Sequence, residues 1–169
     1  MNREQVAHTL ETTPKMLRTL LTGVDEALHT WRPEADEWSI NEIIGHLIDS
    51  DSHAFFDRIQ LMLDKDEPML PGVDVNALSA QRTDNEQEAF SLLNDLAEQR
   101  TGHASFVRTL SNEQMARTGS YKSYGLFRVS DFVYEWAYHD FDHTQQIMEN
   151  LKTAAWPRFS DTMKTALSR

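Results

Sequence analysis

An all-α four-helix bundle is the fold the sequence predicts, on three observations. Apolar residues recur at helical spacing over four long stretches. Tetrads of the form Ser/Thr-x-x-Glu/Gln stand where helices should start, at Ser39–Glu42, Thr83–Glu86 and Ser111–Gln114. Alternating strand patterns are weak, and most joints between the helical stretches are short, as antiparallel-capable bundle helices require.

The first helix is expected from about Arg3 to Thr22, with Leu10, Leu17, Leu20, Leu21 and Val24 on its apolar side. Pro14 should kink or restart it, with Thr13 as the cap, and Gly23 is a stop signal. The second starts at Ser39, whose side chain and Glu42 satisfy free amides reciprocally. Ile40, Ile43, Ile44, Leu47, Ile48, Phe55, Ile59 and Met62 continue it to about Leu63.

Residues 64 to 83 form the longest irregular connection, broken by Pro68, Pro71 and Gly72 and made acidic by Asp64, Asp66 and Glu67. A connection of this length suits a lid or binding loop and permits a crossover. The third helix should open on Thr83–Glu86 and run through Phe90, Leu93, Ala97, Ala104 and Val107 to about Leu110. Ser111 caps one further turn. Residues 117 to 128 read as a loop or small hairpin. Ser130 is the expected cap of the fourth helix, which runs to about Leu151, followed by Trp156-Pro157 and a short helix from Ser160. No repeat or boundary divides the chain, so residues 1–169 are expected to form one domain.

Composition narrows the function. A formal net charge of −11 over 169 residues repels nucleic-acid phosphates and anionic lipid heads, so neither is an expected partner. The absence of cysteine excludes disulfides, thiolate metal sites and a cysteine nucleophile. No stretch approaches the roughly 18 apolar residues that span a bilayer. The N-terminus, Met1-Asn2-Arg3-Glu4-Gln5, has no apolar signal core behind it. A cytoplasmic protein is the expectation.

The fourth helix carries the sharpest chemical signal. Phe132, Trp136, His139, His143 and Ile147 follow at steps of three or four and share one inward line. Two histidines on such a line need partners. An i, i+4 pair can present both imidazoles to one ion, although a pair satisfied by backbone or carboxylate is equally regular. His46 is the best third candidate, on the flank of the second helix's stripe. His53, two turns further on, is the reserve and reads as a surface residue. His8, His29 and His103 lie in more polar surroundings and read as incidental. Three nitrogen ligands would leave coordination positions open, as catalytic sites need, and suit Zn, Ni, Fe or Cu.

Charged residues also fall on apolar faces. Asp51 and Arg58 lie in the second helix's stripe and Arg100 in the third's. Charges there are rarely buried unless paired. An ion-pair network that fixes helix register is the favoured reading. The alternative makes Arg58 and Arg100 anchors for an anionic substrate group. Glu42 reads as the capping glutamate, with orientation of a ligand as the alternative. Asp140 and Asp142 read as solvated.

These residues together resemble the DinB-like superfamily, the DinB/YfiT-like metalloenzymes. The likeness runs through Trp31-Arg32-Pro33, Glu37-Trp38-Ser39, the segment Glu42 to Asp49, Arg58-Ile59 and the Pro68–Asp74 loop. It closes on His139-Asp140-Phe141-Asp142-His143-Thr144-Gln145-Gln146-Ile147, its most specific part. The resemblance implies an up-down-down-up four-helix bundle and a divalent metal on His46, His139 and His143. It also implies a homodimer, and thiol-dependent S-transfer to a small electrophile with a low-molecular-weight thiol such as bacillithiol or mycothiol. The alternatives are metal-dependent hydrolysis of a small amide or ester, or a metal- or ligand-binding module without turnover. No HExxH glutamate is present to act as a protease-like base.

Overall fold

The computed structural model describes residues 1–168. Helix α1 (Arg3–Leu21) is capped at Asn2, whose side chain accepts from the Gln5 amide while Gln5 reaches back to the Asn2 amide. Pro14 sits inside it without ending it, so the expected restart is corrected. Thr13 is no cap, because its hydroxyl donates to Thr9 O at 3.0 Å and stays within the helix. The helix ends at Leu21, just before Gly23, whose φ of +81° glycine adopts without strain. A single turn, α2 (Glu26–His29), follows.

The second long helix is a composite. Its first part, α3 (Ile40–Asp49), starts on the Ser39–Glu42 capping box as the sequence predicts. A π-helical segment, Ser50–Phe56, follows, and α4 (Asp57–Asp64) completes it. The Asp57 amide donates to Ser52 O, five residues back. Such widened turns occur often at functional sites. This one buries Ser50, Asp51 and Phe55 and leaves His53 outside.

The connection after Asp64 is less irregular than expected. Residues 68–70 lie beside the hairpin β1 (Thr118–Tyr121) and β2 (Gly125–Arg128), with Leu70 N donating to Ser120 O and Ser120 N to Pro68 O, both at 2.8 Å. A short helix, α5 (Val75–Gln81), and one 3-10 turn, Asp84–Glu86, lead into α6 (Ala89–Thr109). The expected start of that helix at Thr83 is therefore corrected to Ala89. Thr83 makes no side-chain cap, and the Asp84 carboxylate is taken by Arg82 Nε at 2.8 and 3.0 Å. Ser111 caps α7 (Asn112–Ala116) as read. The last long helix, α8 (Val129–Ala155), is capped at Arg128, with Asp131 accepting from its amide, and so begins one residue before Ser130. The tail ends in α9 (Asp161–Leu167).

Cross-helix contacts set the arrangement. Helix α1 packs on α6 and α8, and α3–α4 packs on the same two, so the first two long helices face each other across the bundle. Arg108 meets Glu4 and Glu11, while Arg18 meets Asn94, so α1 and α6 run in opposite directions. Asn41 meets Gln87, Asp51 meets Arg100 and Phe56 meets Phe106, so α3–α4 and α6 run the same way. Among the described residues no helix is long and apolar enough to cross a membrane.

Two apolar cores fill the bundle. One gathers Val6, Leu10, Phe55, Ile59, Met62, Val107, Phe132 and Trp136. The other gathers Leu17, Leu21, Ile43, Ile44, Leu47, Leu92, Leu96 and Ile147. Each long helix passes from one core to the other, and at each crossing it carries polar residues. These are Thr13 on α1, Ser50 and Asp51 in the π-helical segment, Arg100 on α6, and Asp140 and Thr144 on α8, all buried. A polar layer thus separates the two cores, and the candidate site lies in it.

Candidate metal centre

Three imidazoles converge at this layer. His46 comes from the last turn of α3, and His139 and His143 come from successive turns of α8. His46 Nε2 lies 3.0 Å from His139 Nε2, and His143 Nε2 lies 3.2 Å from the same atom. One ligand atom from each ring falls within 4.8 Å of the others. A tetrahedral ion with ligands at about 2.0–2.1 Å sets its nitrogens about 3.3 Å apart, so the spacing fits a single small cation.

Burial keeps these rings in the form a metal needs. Desolvation, then the neighbouring His143 ring, pushes His46 down to about 4. Desolvation, then the His143 and His46 rings, pushes His139 down to about 3. Desolvation also lowers His143, against the raising effect of Gln146. Near neutral pH all three offer lone pairs. Lone pairs facing each other at 3.0 Å repel unless a proton or cation sits between them. The other ring nitrogen of His143 lies 2.8 Å from Gln146 Oε1, which accepts its proton and leaves Nε2 free. Trp38 covers His46 and His143 with ring centroids 4.7 and 6.2 Å away, and Phe55 presents its edge to His139 at 5.3 Å.

Beneath the rings lies an ion cluster that is wholly buried. Arg100 donates from Nε and one terminal nitrogen to Asp51 at 2.8 and 3.1 Å, and from both terminal nitrogens to Asp140 at 2.7 and 2.6 Å. Trp136 Nε1 donates to Asp51 at 2.6 Å. Burial alone would raise the Asp51 carboxyl, but Arg100, His103 and Trp136 hold it below the usual carboxylate range. Asp140 ends above that range because burial outweighs Arg100. Of the expected ion-pair network, Asp51 and Arg100 are paired, with Asp140 as the third member in place of Arg58, which bonds instead to Pro71 O and Tyr121. The expectation of a solvated Asp140 is corrected, since it is 0% exposed. Asp142 is exposed as read.

The two arginines weighed as substrate anchors stand in different places. Arg100 is closed off at 0% exposure with its donors committed to carboxylates. Arg58 is half-buried and holds the connection after α4. It donates to Pro71 O and to the Tyr121 hydroxyl, both at 3.1 Å, and lies over the Tyr121 and Phe132 rings. His53 stays outside the triad, exposed and 3.2 Å from Asp57, and both line a cavity of about 370 Å³ with Pro71, Gly72, Asp74 and Leu78. His29 and His103 are buried, not polar-surface residues: His29 meets Phe90 edge-on, and His103 stacks on Phe56.

The segment before α6 docks beside His46. An added Cβ at Gly45 would fall 2.1 Å from Asp84 Oδ2, so the Asp84 carboxylate sits where any side chain would be. Arg82 ties Asp84 to Asp49 at 3.0 Å on the same helix face. Glu42 keeps its capping role and pairs with Arg32. Trp38, Ser50, Phe55 and Gln146 are site residues that the histidine pattern alone does not name. Gln146 was detectable by its i+3 spacing from His143.

The model of the DinB superfamily matches residues 9–147, which carry all three histidines. The chain belongs to the DinB superfamily. BH0277 of Halalkalibacterium halodurans, whose name assigns it to the metal-dependent hydrolases, is 25% identical over 145 residues, covering 84% of this chain and 82% of that one. Among solved structures, YfiT from Bacillus subtilis superposes with a TM-score of 0.80 at 19% identity, covering 91% of this chain and 88% of its own. It is described as a metal-dependent hydrolase with an unusual four-helix bundle topology, and the likeness establishes that bundle here. A mycothiol-dependent maleylpyruvate isomerase superposes at 0.58 with 14% identity, over 85% of this chain and 59% of its own. The DinB bundle therefore carries this histidine cluster at its polar layer.

Proposed function

We propose that the chain is a single-metal hydrolase of a small amide or ester, with His46, His139 and His143 as the ligands of one divalent ion. The observation that carries this reading is the convergence of three desolvated Nε2 atoms from two helices. Three protein ligands leave room for water or substrate. A bound divalent ion lowers the pKa of what it coordinates and polarises a substrate carbonyl. The chain's own part is positional. Gln146 sets the His143 tautomer, Trp38 roofs the site, and the Asp51–Arg100–Asp140 cluster fixes α6 and α8 against the π-helical segment. Arg58 serves substrate indirectly, by holding Pro71 and the cavity wall beside His53.

The relative that matches 84% of the chain is named a hydrolase, so hydrolysis leads. Thiol transfer, which the family resemblance places first, is the second reading. Its support is the fold shared with a mycothiol-dependent enzyme. Metal-loaded protein should be assayed on a panel of small amides, esters and electrophiles, with and without low-molecular-weight thiols. Turnover without thiol that His143→Ala abolishes is the expected result. Turnover only with thiol would replace hydrolysis by transfer. Inactivity with every metal tried would leave a metal-binding module.

A further inference from the structure

The outer face of α8 and the C-terminal tail both expose apolar side chains in regular order. On α8, Tyr134, Tyr138, Phe141 and Met148 recur at helical spacing and are 42, 64, 49 and 42% exposed. In the tail, Trp156, Phe159, Met163 and Leu167 recur at steps of three and four and are 41, 39, 48 and 55% exposed. Every described residue from Ala155 to Ser168 except Lys164 is exposed, so the tail leaves its own bundle uncovered. Monomeric surfaces rarely carry so much ordered apolar area.

We propose that the tail, residues 156–168, docks on the outer face of α8 in a second copy of the chain and receives the partner's tail in return. Area supports this occupant. A large apolar side chain offers about 200 Å², so eight that are about half exposed give about 800 Å² per chain, the share each partner gives a standard-size interface. Length agrees, because the α8 stripe spans about 21 Å and the tail's apolar edge about 17 Å at helical rise.

Charge agrees as well. The exposed neighbours of the stripe include Asp131, Glu135, Asp142 and Glu149, and no Lys or Arg lies between Arg128 and Lys152. The described tail carries Arg158 and Lys164 against Asp161 alone, in a chain whose net charge is −11. A basic, apolar segment therefore faces an acidic, aromatic one. Exchange of one unlike pair in both directions closes a two-fold dimer. The tail lies beyond residue 147, where the family match ends, and the proposal does not rest on the hydrolase reading.

The test is light scattering coupled to size exclusion. Wild type should run at twice the 19.5 kDa chain mass. A tail variant, Phe159→Asp with Met163→Asp, and a stripe variant, Tyr138→Lys with Phe141→Lys, should each raise the dimer dissociation constant about 100-fold or more. Both alter exposed residues, so each should keep the wild-type helical circular dichroism, and its melt should fall only to that of wild type diluted below its dimer dissociation constant. Mixed together, the two variants should form a heterodimer through the one intact tail and stripe. A monomeric wild type, a dimer that survives the tail variant, or no heterodimer on mixing would each overturn the proposal.

Discussion

Replacing Arg100 by leucine removes the guanidinium that Asp51 and Asp140 share in the buried layer and leaves the two carboxylates without it. The guanidinium makes four charge-assisted bonds of 2.6 to 3.1 Å, and all three side chains are 0% exposed. Breaking a buried pair by deleting one partner costs about 3–5 kcal/mol. Urea slopes for small proteins are about 1–3 kcal/mol per molar, so the unfolding midpoint of Arg100→Leu should fall by about 2 M.

The loss should also depend on pH. Without Arg100 the two carboxyls rise well above their unfolded pKa, so the native state binds protons that the unfolded state releases. Stability is then greater at low pH and is lost as pH rises through the raised native values. The variant should be weaker at pH 8 than at pH 5. Adding Asp140→Asn should restore part of the loss by removing one charge. A midpoint shift worth less than about 1 kcal/mol, or a loss unchanged between the two pH values, would refute the view that this cluster is a compensated buried charge set.

Other perturbations test neighbouring parts of the account. Gly45→Ala should cost about 1–3 kcal/mol in thermal or urea unfolding, because its Cβ displaces Asp84, and Asp84→Ala should relieve most of that loss. Gln146→Leu should weaken divalent-metal binding about 10- to 100-fold in isothermal titration while leaving the melt of the metal-free protein near wild type. Metal-free protein should lose stability as pH falls from 6.5 through about 4, because His46 and His139 bind protons readily only when unfolded. Melting temperatures that rise over that interval would oppose the assigned burial.

Much of this molecule can be read directly from its sequence, where local physics decides. The Ser39–Glu42 cap, the Gly23 stop and the helical line through Trp136, His139 and His143 depend on neighbours within a turn or two. What escaped depends on distant partners. Thr83–Glu86 has the letters of a capping box, but Arg82 claims Asp84 and α6 starts later. Asp140 looks solvated between two histidines until Arg100, forty residues away, is placed against it. The π-helical turn at Ser50–Phe56 leaves no residue signature, yet it helps to present Asp51 beneath the rings. His46 is legible as a candidate, whereas its 3.0 Å approach to His139 is a property of the assembled bundle.

The three-histidine metal site stands or falls on metal content. Wild type and His143→Ala should be loaded identically with a divalent ion, stripped of loosely bound metal and measured by elemental analysis beside their melting curves. Wild type should hold close to one ion per chain and melt higher on loading, and His143→Ala should lose both. Equal metal content in the two proteins would contradict it.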